Sequence, residues 1–233
     1  MTNQNPKKTK KSRGLLVVLF IIVILAVLVI CFKDRIFISD AEAEGSLLVT
    51  GQGNDLYYVY DVKDNKKVGF TSTGQTMSLP AGKYKVALHD KGPEIRIKSN
   101  DETVLQTGVL LVQGEGVNLY EVWDKDKETK LNFTRTGKSL EFFPGTYTVI
   151  LNNISQKITV VAEDTARITT GRLSVSGKSE ALYYVFDQTG NQQLNFTSVG
   201  KETELFPGKY IVKVENDKKE VEIEAGKINE VSF

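Results

Sequence analysis

Three aspartates, Asp61, Asp124 and Asp187, stand 63 residues apart along this chain. A carboxylate recurring at one position invites a calcium-binding or acid–base reading. Each, however, ends a run of strand-forming residues and precedes turn residues, where aspartate commonly accepts backbone N–H groups. That turn role is the favoured reading, and Asp124-Lys125-Asp126 also lacks the glycine and distal glutamate of a helix-loop calcium site. His89 is the single histidine and Cys31 the single cysteine, which excludes zinc clusters and most histidine-based catalysis by arithmetic. His89 reads as an ordinary surface or strand-end residue. Gly51-Gln52-Gly53 falls in a hairpin context rather than in a phosphate loop. The expectation is no catalytic residue, no cofactor and no metal. Three Asn-X-Ser/Thr triplets (Asn132, Asn153, Asn195) match a glycosylation acceptor, but Asn132 and Asn195 share one repeat position, which favours a structural origin.

The residues best suited to recognition are aromatic. Alternation along Leu56–Tyr60 and its counterparts 63 and 126 residues later puts Tyr57 and Val59 on one face, with Tyr120, Val122, Tyr183 and Val185. These are identical in kind and form the expected core. The opposite face carries Tyr58, Tyr60, Glu121, Trp123, Tyr184 and Phe186. Packing of this stripe against a neighbouring copy or a covering loop is the favoured expectation. The alternative is a docking surface for a sugar or a protein, because aromatic side chains offer large contact area and stacking.

Positioning these residues falls to a repeated unit. Sliding the sequence by 63 residues aligns it twice without a gap, giving copies at 45–107, 108–170 and 171–233. Fourteen positions are identical in all three, among them Gly51, Leu56, Tyr57, Phe70 and Tyr84. Copies two and three also share Asn-Phe-Thr and Phe-Pro-Gly. Short Val-, Ile-, Tyr- and Phe-rich runs, such as Leu47–Thr50, Leu56–Tyr60, Val68–Thr71, Lys83–Leu88 and Glu94–Lys98, alternate with turn chemistry. Pro144-Gly145 and Pro207-Gly208 suit type II turns with glycine at positive φ. The fold class expected is all-β: three tandem β-sandwiches of six or seven strands each. A unit this small is marginal alone, and a single glycine joins one copy to the next. Fixed contacts between neighbours are therefore expected.

The pattern Leu173-x-Val175-x-Gly177, Leu182-Tyr-Tyr-Val-Phe-Asp187, Phe196-Thr197 and Phe206-Pro-Gly-Lys-Tyr-Ile-Val-Lys-Val214 resembles PEGA-like and carboxypeptidase-regulatory-like β-sandwich domains. The likeness covers all three copies, without the Pro-Glu-Gly-Ala signature itself. It implies a binding or spacing module of an exported protein.

Residues 15–32 read LLVVLFIIVILAVLVICF without a charge. As a helix they would span about 27 Å, close to a bilayer's hydrocarbon core. Five basic residues precede the run, so a basic tail at 1–14 is expected in the cytoplasm and the copies outside it, beyond a tether at 33–44. A removed signal peptide is the alternative; Ala41-Glu42-Ala43 is the nearest small-x-small pattern, but it lies beyond Lys33-Asp34-Arg35. Lipid modification of Cys31 is disfavoured by Ile30 before it. Beyond residue 35 the net charge is −5, which argues against nucleic acid as a partner. The expected protein is a membrane-anchored, non-enzymatic scaffold in the inner membrane, facing the periplasm or cell exterior. Its expected partner is a protein or membrane complex, with a cell-wall glycan as the alternative.

Overall fold

Residues 43–52, 55–116, 118–177 and 181–233 are described by a computed structural model. The expected cytoplasmic tail, the membrane-spanning segment and nearly all of the tether lie outside these residues. Among the described residues no helix is long and apolar enough to cross a membrane.

Seven strands build copy one: β1 (Glu44–Val49), β2 (Leu56–Asp61), β3 (Lys67–Ser72), β4 (Thr76–Pro80), β5 (Gly82–Leu88), β6 (Glu94–Ile97) and β7 (Glu102–Leu105). Copy two repeats them as β8 (Gly108–Gln113), β9 (Leu119–Asp124), β10 (Lys130–Arg135), β11 (Ser139–Phe142), β12 (Gly145–Leu151), β13 (Ile154–Val160) and β14 (Thr165–Thr169). Copy three supplies β15 (Gly171–Ser176), β16 (Leu182–Phe186), β17 (Gln193–Ser198), β18 (Thr203–Leu205), β19 (Gly208–Val214), β20 (Asp217–Ile223) and β21 (Ile228–Ser232). Within each copy a three-stranded sheet, in the order β4-β1-β7, faces a four-stranded sheet, β3-β2-β5-β6. Pairing is antiparallel except between β1 and β7, which run parallel. The described residues are therefore all-β, in three sandwich-like domains. The short strand β4 and its counterparts are absent from the periodicity reading, because three to five residues are too few to display alternation.

Each core follows from the two-residue period. Leu47, Val49, Tyr57, Val59 and Val86 point inward in copy one and are fully buried, and their equivalents fill the other two cores. A buried tyrosine must place its hydroxyl. Tyr57, Tyr120 and Tyr183 donate to the carbonyls of Gln75, Lys138 and Lys201, at 3.0, 2.8 and 2.9 Å. A second tyrosine closes the next connection: Tyr84, Tyr147 and Tyr210 donate to the carbonyl four residues earlier, at Pro80, Phe143 and Phe206. This bond shapes the Pro-Gly connection differently from the turn expected there. Gly145 opens β12 without a positive φ, and Gly208 has φ 154°.

Candidate functional site

The repeated aspartates sit in turns. Asp61 accepts the N–H of Lys63 at 2.8 Å, Asp124 that of Glu128 at 2.8 Å, and Asp187 those of Asn191 and Gln192 at 2.9 and 3.1 Å. The Thr189 hydroxyl, followed by these N–H groups, holds the Asp187 carboxyl below its ordinary pKa. Among the described residues no group of histidine, cysteine, aspartate and glutamate could hold a metal. The three sequon asparagines are likewise engaged. Asn132 Nδ2 lies 2.9 Å from His89 Nδ1, Asn153 donates to the Leu194 carbonyl and Asn195 to the Thr203 hydroxyl.

The joints between copies hold the densest polar chemistry, and periodicity did not reveal it. Glu141 in β11 is 2% exposed and reaches into copy one, where its carboxylate accepts the Gln52 N–H and the Thr73 hydroxyl. Its own N–H is accepted by Asp55 Oδ2 at 2.8 Å. Sixty-three residues on, Glu204 in β18 is fully buried and does the same to copy two. It accepts the Glu115 N–H, the Thr136 hydroxyl and, at 3.2 Å, the Asn118 N–H. The Glu204 N–H is accepted by Asn118 Oδ1 at 2.9 Å. A buried carboxylate is tolerable only when its lone pairs are filled. Among the described residues no buried side-chain nitrogen or oxygen lacks a partner.

Beside each glutamate an aromatic ring completes the plug. Phe143 enters the core cluster of copy one, and Phe206 that of copy two. The Phe-Pro-Gly shared by copies two and three is therefore the tip of an inserted element. The copies at the ends lack the matching halves. Copy one has Ser78 and Pro80 where the plug residues would stand. Copy three has Val199 and Ala181 in place of the receiving Thr73 and Asp55.

His89 belongs to the first joint and not to an ordinary surface. It follows β5 with φ 52° and packs tilted against Phe142, with ring centroids 4.8 Å apart. Its Nε2 lies 3.5 Å from Asp55 Oδ1. Burial acts to raise the Asp55 pKa, but the His89 hydrogen bond, the Glu141 N–H and the His89 charge outweigh it and hold the carboxyl low. The second joint substitutes neutral amides: Asn118 Nδ2 donates to Asn152 Oδ1 at 3.3 Å, and Asn152 donates to the Glu204 carbonyl at 2.7 Å.

The aromatic stripe lies on the outer face of the four-stranded sheets, half-buried in each copy. Tyr58 and Tyr60 line a crevice at the first joint with Asp55, His89, Leu131 and Asn132. Trp123 Nε1 donates to Glu121 at 2.8 Å. The adjacent strand covers the stripe partially, because Phe70 stacks on Tyr58 at 5.8 Å and Phe196 on Tyr184 at 6.0 Å. Lys213 Nζ stands 4.1 Å from the centre of the Phe186 ring. The stripe is thus flanked by a phenylalanine that the sequence reading left among the presumed structural identities. Phe70, Phe133 and Phe196 are 56%, 57% and 56% exposed. Their exposure could not be read from identity among the copies, since a core residue gives the same signal.

No protein-family model matches this chain, and no curated protein does. Among solved structures the chain is similar to the Bacillus anthracis TIE protein, at 15% identity and a TM-score of 0.27. That match covers 82% of this chain and 50% of the other, so this chain spans half the length of that structure. GBS52, the minor pilin of Streptococcus agalactiae, matches at 11% identity and a TM-score of 0.26, covering 55% of this chain and 94% of its own. The pilus adhesin SpaC from Lactobacillus rhamnosus GG in its open conformation matches at 6% and 0.21, covering 81% of this chain and 43% of its own. Superpositions at these scores do not establish kinship with any of the three.

Proposed function

We propose that this protein is a membrane-anchored, non-enzymatic interaction scaffold that holds three β-sandwiches in fixed register outside the cytoplasm. The observation that carries the reading is the joint made twice with the same parts. Glu141 and Glu204 are each buried among donors of the preceding copy, and each has a phenylalanine two residues on that enters that copy's core. Flexible spacing between domains does not require a buried carboxylate matched to two or three donors, whereas a fixed angle does. The uncharged run at 15–32 and the basic residues before it support the anchor and its orientation. Three equivalent faces at fixed spacing suit a partner that repeats along its length, and the anchor suits an accessory subunit of a membrane complex.

The test is a distance measurement across the first joint. In a Cys31→Ser background, spin labels at Lys66→Cys and Thr129→Cys occupy exposed, equivalent turns of copies one and two. A narrow distance distribution is expected, broadening in Glu141→Gln/Phe143→Ala. A broad distribution in the otherwise native chain would refute the fixed register.

A further inference from the structure

We propose that the outer faces of the three four-stranded sheets together bind one linear anionic polysaccharide. Its sugar rings stack on Phe70, Phe133 and Phe196, and its acidic groups meet the lysines beside them. The proposal rests on the fixed register argued above and adds the chemistry of the ligand.

It starts from identities that folding does not explain. Of the positions identical in all three copies, most are buried, form turns or admit close backbone approach. Two are neither. Leu56, Leu119 and Leu182 are 44%, 54% and 41% exposed, and the three phenylalanines are more exposed still. Both positions point to the same side of the sheet. Leu56 and Tyr58 are two residues apart and so share a face, and the register sets Tyr58 opposite Phe70, Glu121 opposite Phe133 and Tyr184 opposite Phe196. An apolar pair kept three times on a wetted face is the signature of a contact surface. An aromatic ring with one open side is a platform for the apolar face of a sugar.

Charge selects among the possible partners. The body of the chain is net acidic, yet basic residues prevail on this face in every copy. In copy one Lys67, Lys83, Lys85 and Arg96 stand against Glu94. In copy two Lys130, Arg135 and Lys157 oppose Glu121, and in copy three Lys209, Lys213 and Lys218 oppose Glu220 and Glu222. In copies one and two a cation sits at the phenylalanine itself, and in copy three Lys213 sits at Phe186 of the same face. Lys67 Nζ lies 5.2 Å from the Tyr58 centroid and 5.3 Å from that of Phe70, and Lys130 lies 5.7 Å from that of Phe133. Such a lysine is held over the ring; Lys130 also pairs with Glu121 at 3.2 Å, and an ammonium carries further donors to offer an acid. A ligand that alternates rings and acidic groups meets both features, and a polymer meets all three copies at once. Linking three weak sites in fixed register multiplies their affinity without new contacts.

The test uses the detergent-solubilised full chain and three probes: polygalacturonate (acidic sugar rings), dextran (neutral rings) and polyglutamate (acid without rings). Polygalacturonate is expected to bind at least tenfold more tightly than either control, and less tightly as salt rises. Phe133→Ser alone should weaken it severalfold, and Phe70→Ser/Phe133→Ser/Phe196→Ser by about a hundredfold or more. Because these side chains are exposed, the triple variant should keep its melting temperature, so lost binding is not lost folding. Equal binding of polyglutamate, as an acidic protein partner would imitate, overturns the sugar component. Equal binding of dextran overturns the charge component. An unchanged affinity in the triple variant overturns the site. Failure of all three probes removes the ligand class while leaving the spin-label distances, and hence the fixed register, untouched.

Discussion

Single side chains set two measurable behaviours. Burial pushes Tyr57, Tyr147 and Tyr210 up to about 12, and Tyr120 and Tyr183 higher still. A phenol whose folded pKa exceeds its unfolded value contributes stability that is complete below pH 10 and is lost as pH rises through the folded value. Tyrosinate absorbance followed together with circular dichroism checks this. Unfolding should come between pH 10 and about 12, with the buried tyrosines ionising in that step. The joint glutamates supply the second behaviour. Replacing Glu141 by Ala removes the carboxylate that accepts the Gln52 N–H and the hydroxyl of buried Thr73, at a cost of about 1–3 kcal/mol. Ser78, at the same repeat position but with no joint to make, should accept Ala within about 0.5 kcal/mol. Denaturant titration of the two variants checks both values, and equal costs would contradict the role given to Glu141.

At the scale of elements, the bend after the first strand of each copy decides whether a plug fits. A Cβ on Gly51 would stand 2.7 Å from the Glu141 carboxylate, and one on Gly114 2.5 Å from that of Glu204. On Gly177, identical by repeat position, the nearest atom is the Phe233 carbonyl at 3.3 Å. Gly51→Ala and Gly114→Ala should each expel the carboxylate and destabilise by about 1–3 kcal/mol, while Gly177→Ala should cost a fraction of that. Thermal melts of the three variants distinguish them, and a uniform loss would mean that the glycine serves the bend rather than the joint. The strands themselves were largely legible. Alternation, or a Val-, Ile-, Tyr- and Phe-rich composition, located β1, β2, β3, β5 and β6 to within a few residues, although β3 buries none of its own side chains. It missed β4 because that strand is short, and its counterparts β11 and β18 carry the joint glutamates.

Across the whole molecule the joints couple units that are each small for an independent fold. Contacts between neighbours in such an array add to the stability of each unit and bind their unfolding together. The native chain should unfold in a single calorimetric transition. Phe206→Ala, which empties a 3%-exposed site in the copy-two core cluster, should cost about 3–5 kcal/mol and split copy three from the rest. A single unshifted transition in that variant would show the copies to be energetically independent. Residues 15–32 predict that the full chain stays with membranes through an alkaline wash. Recovery in the supernatant, with a new N-terminus near Ala43, would identify the run as a removed signal.

The sequence by itself determined the 63-residue period, the all-β class, the inward face of each β2-type strand and the turn role of the aspartates. All of these depend on neighbours a few residues apart, or on alternation within one strand. Tertiary structure decided the rest. Glu141 meets partners 68 and 89 residues away, a separation at which no local pattern tells a joint from an exposed edge. The three phenylalanines show the same limit from the other side. Their identity among the copies matched that of core residues such as Tyr57, and only the packing of one sheet on the other left them facing water.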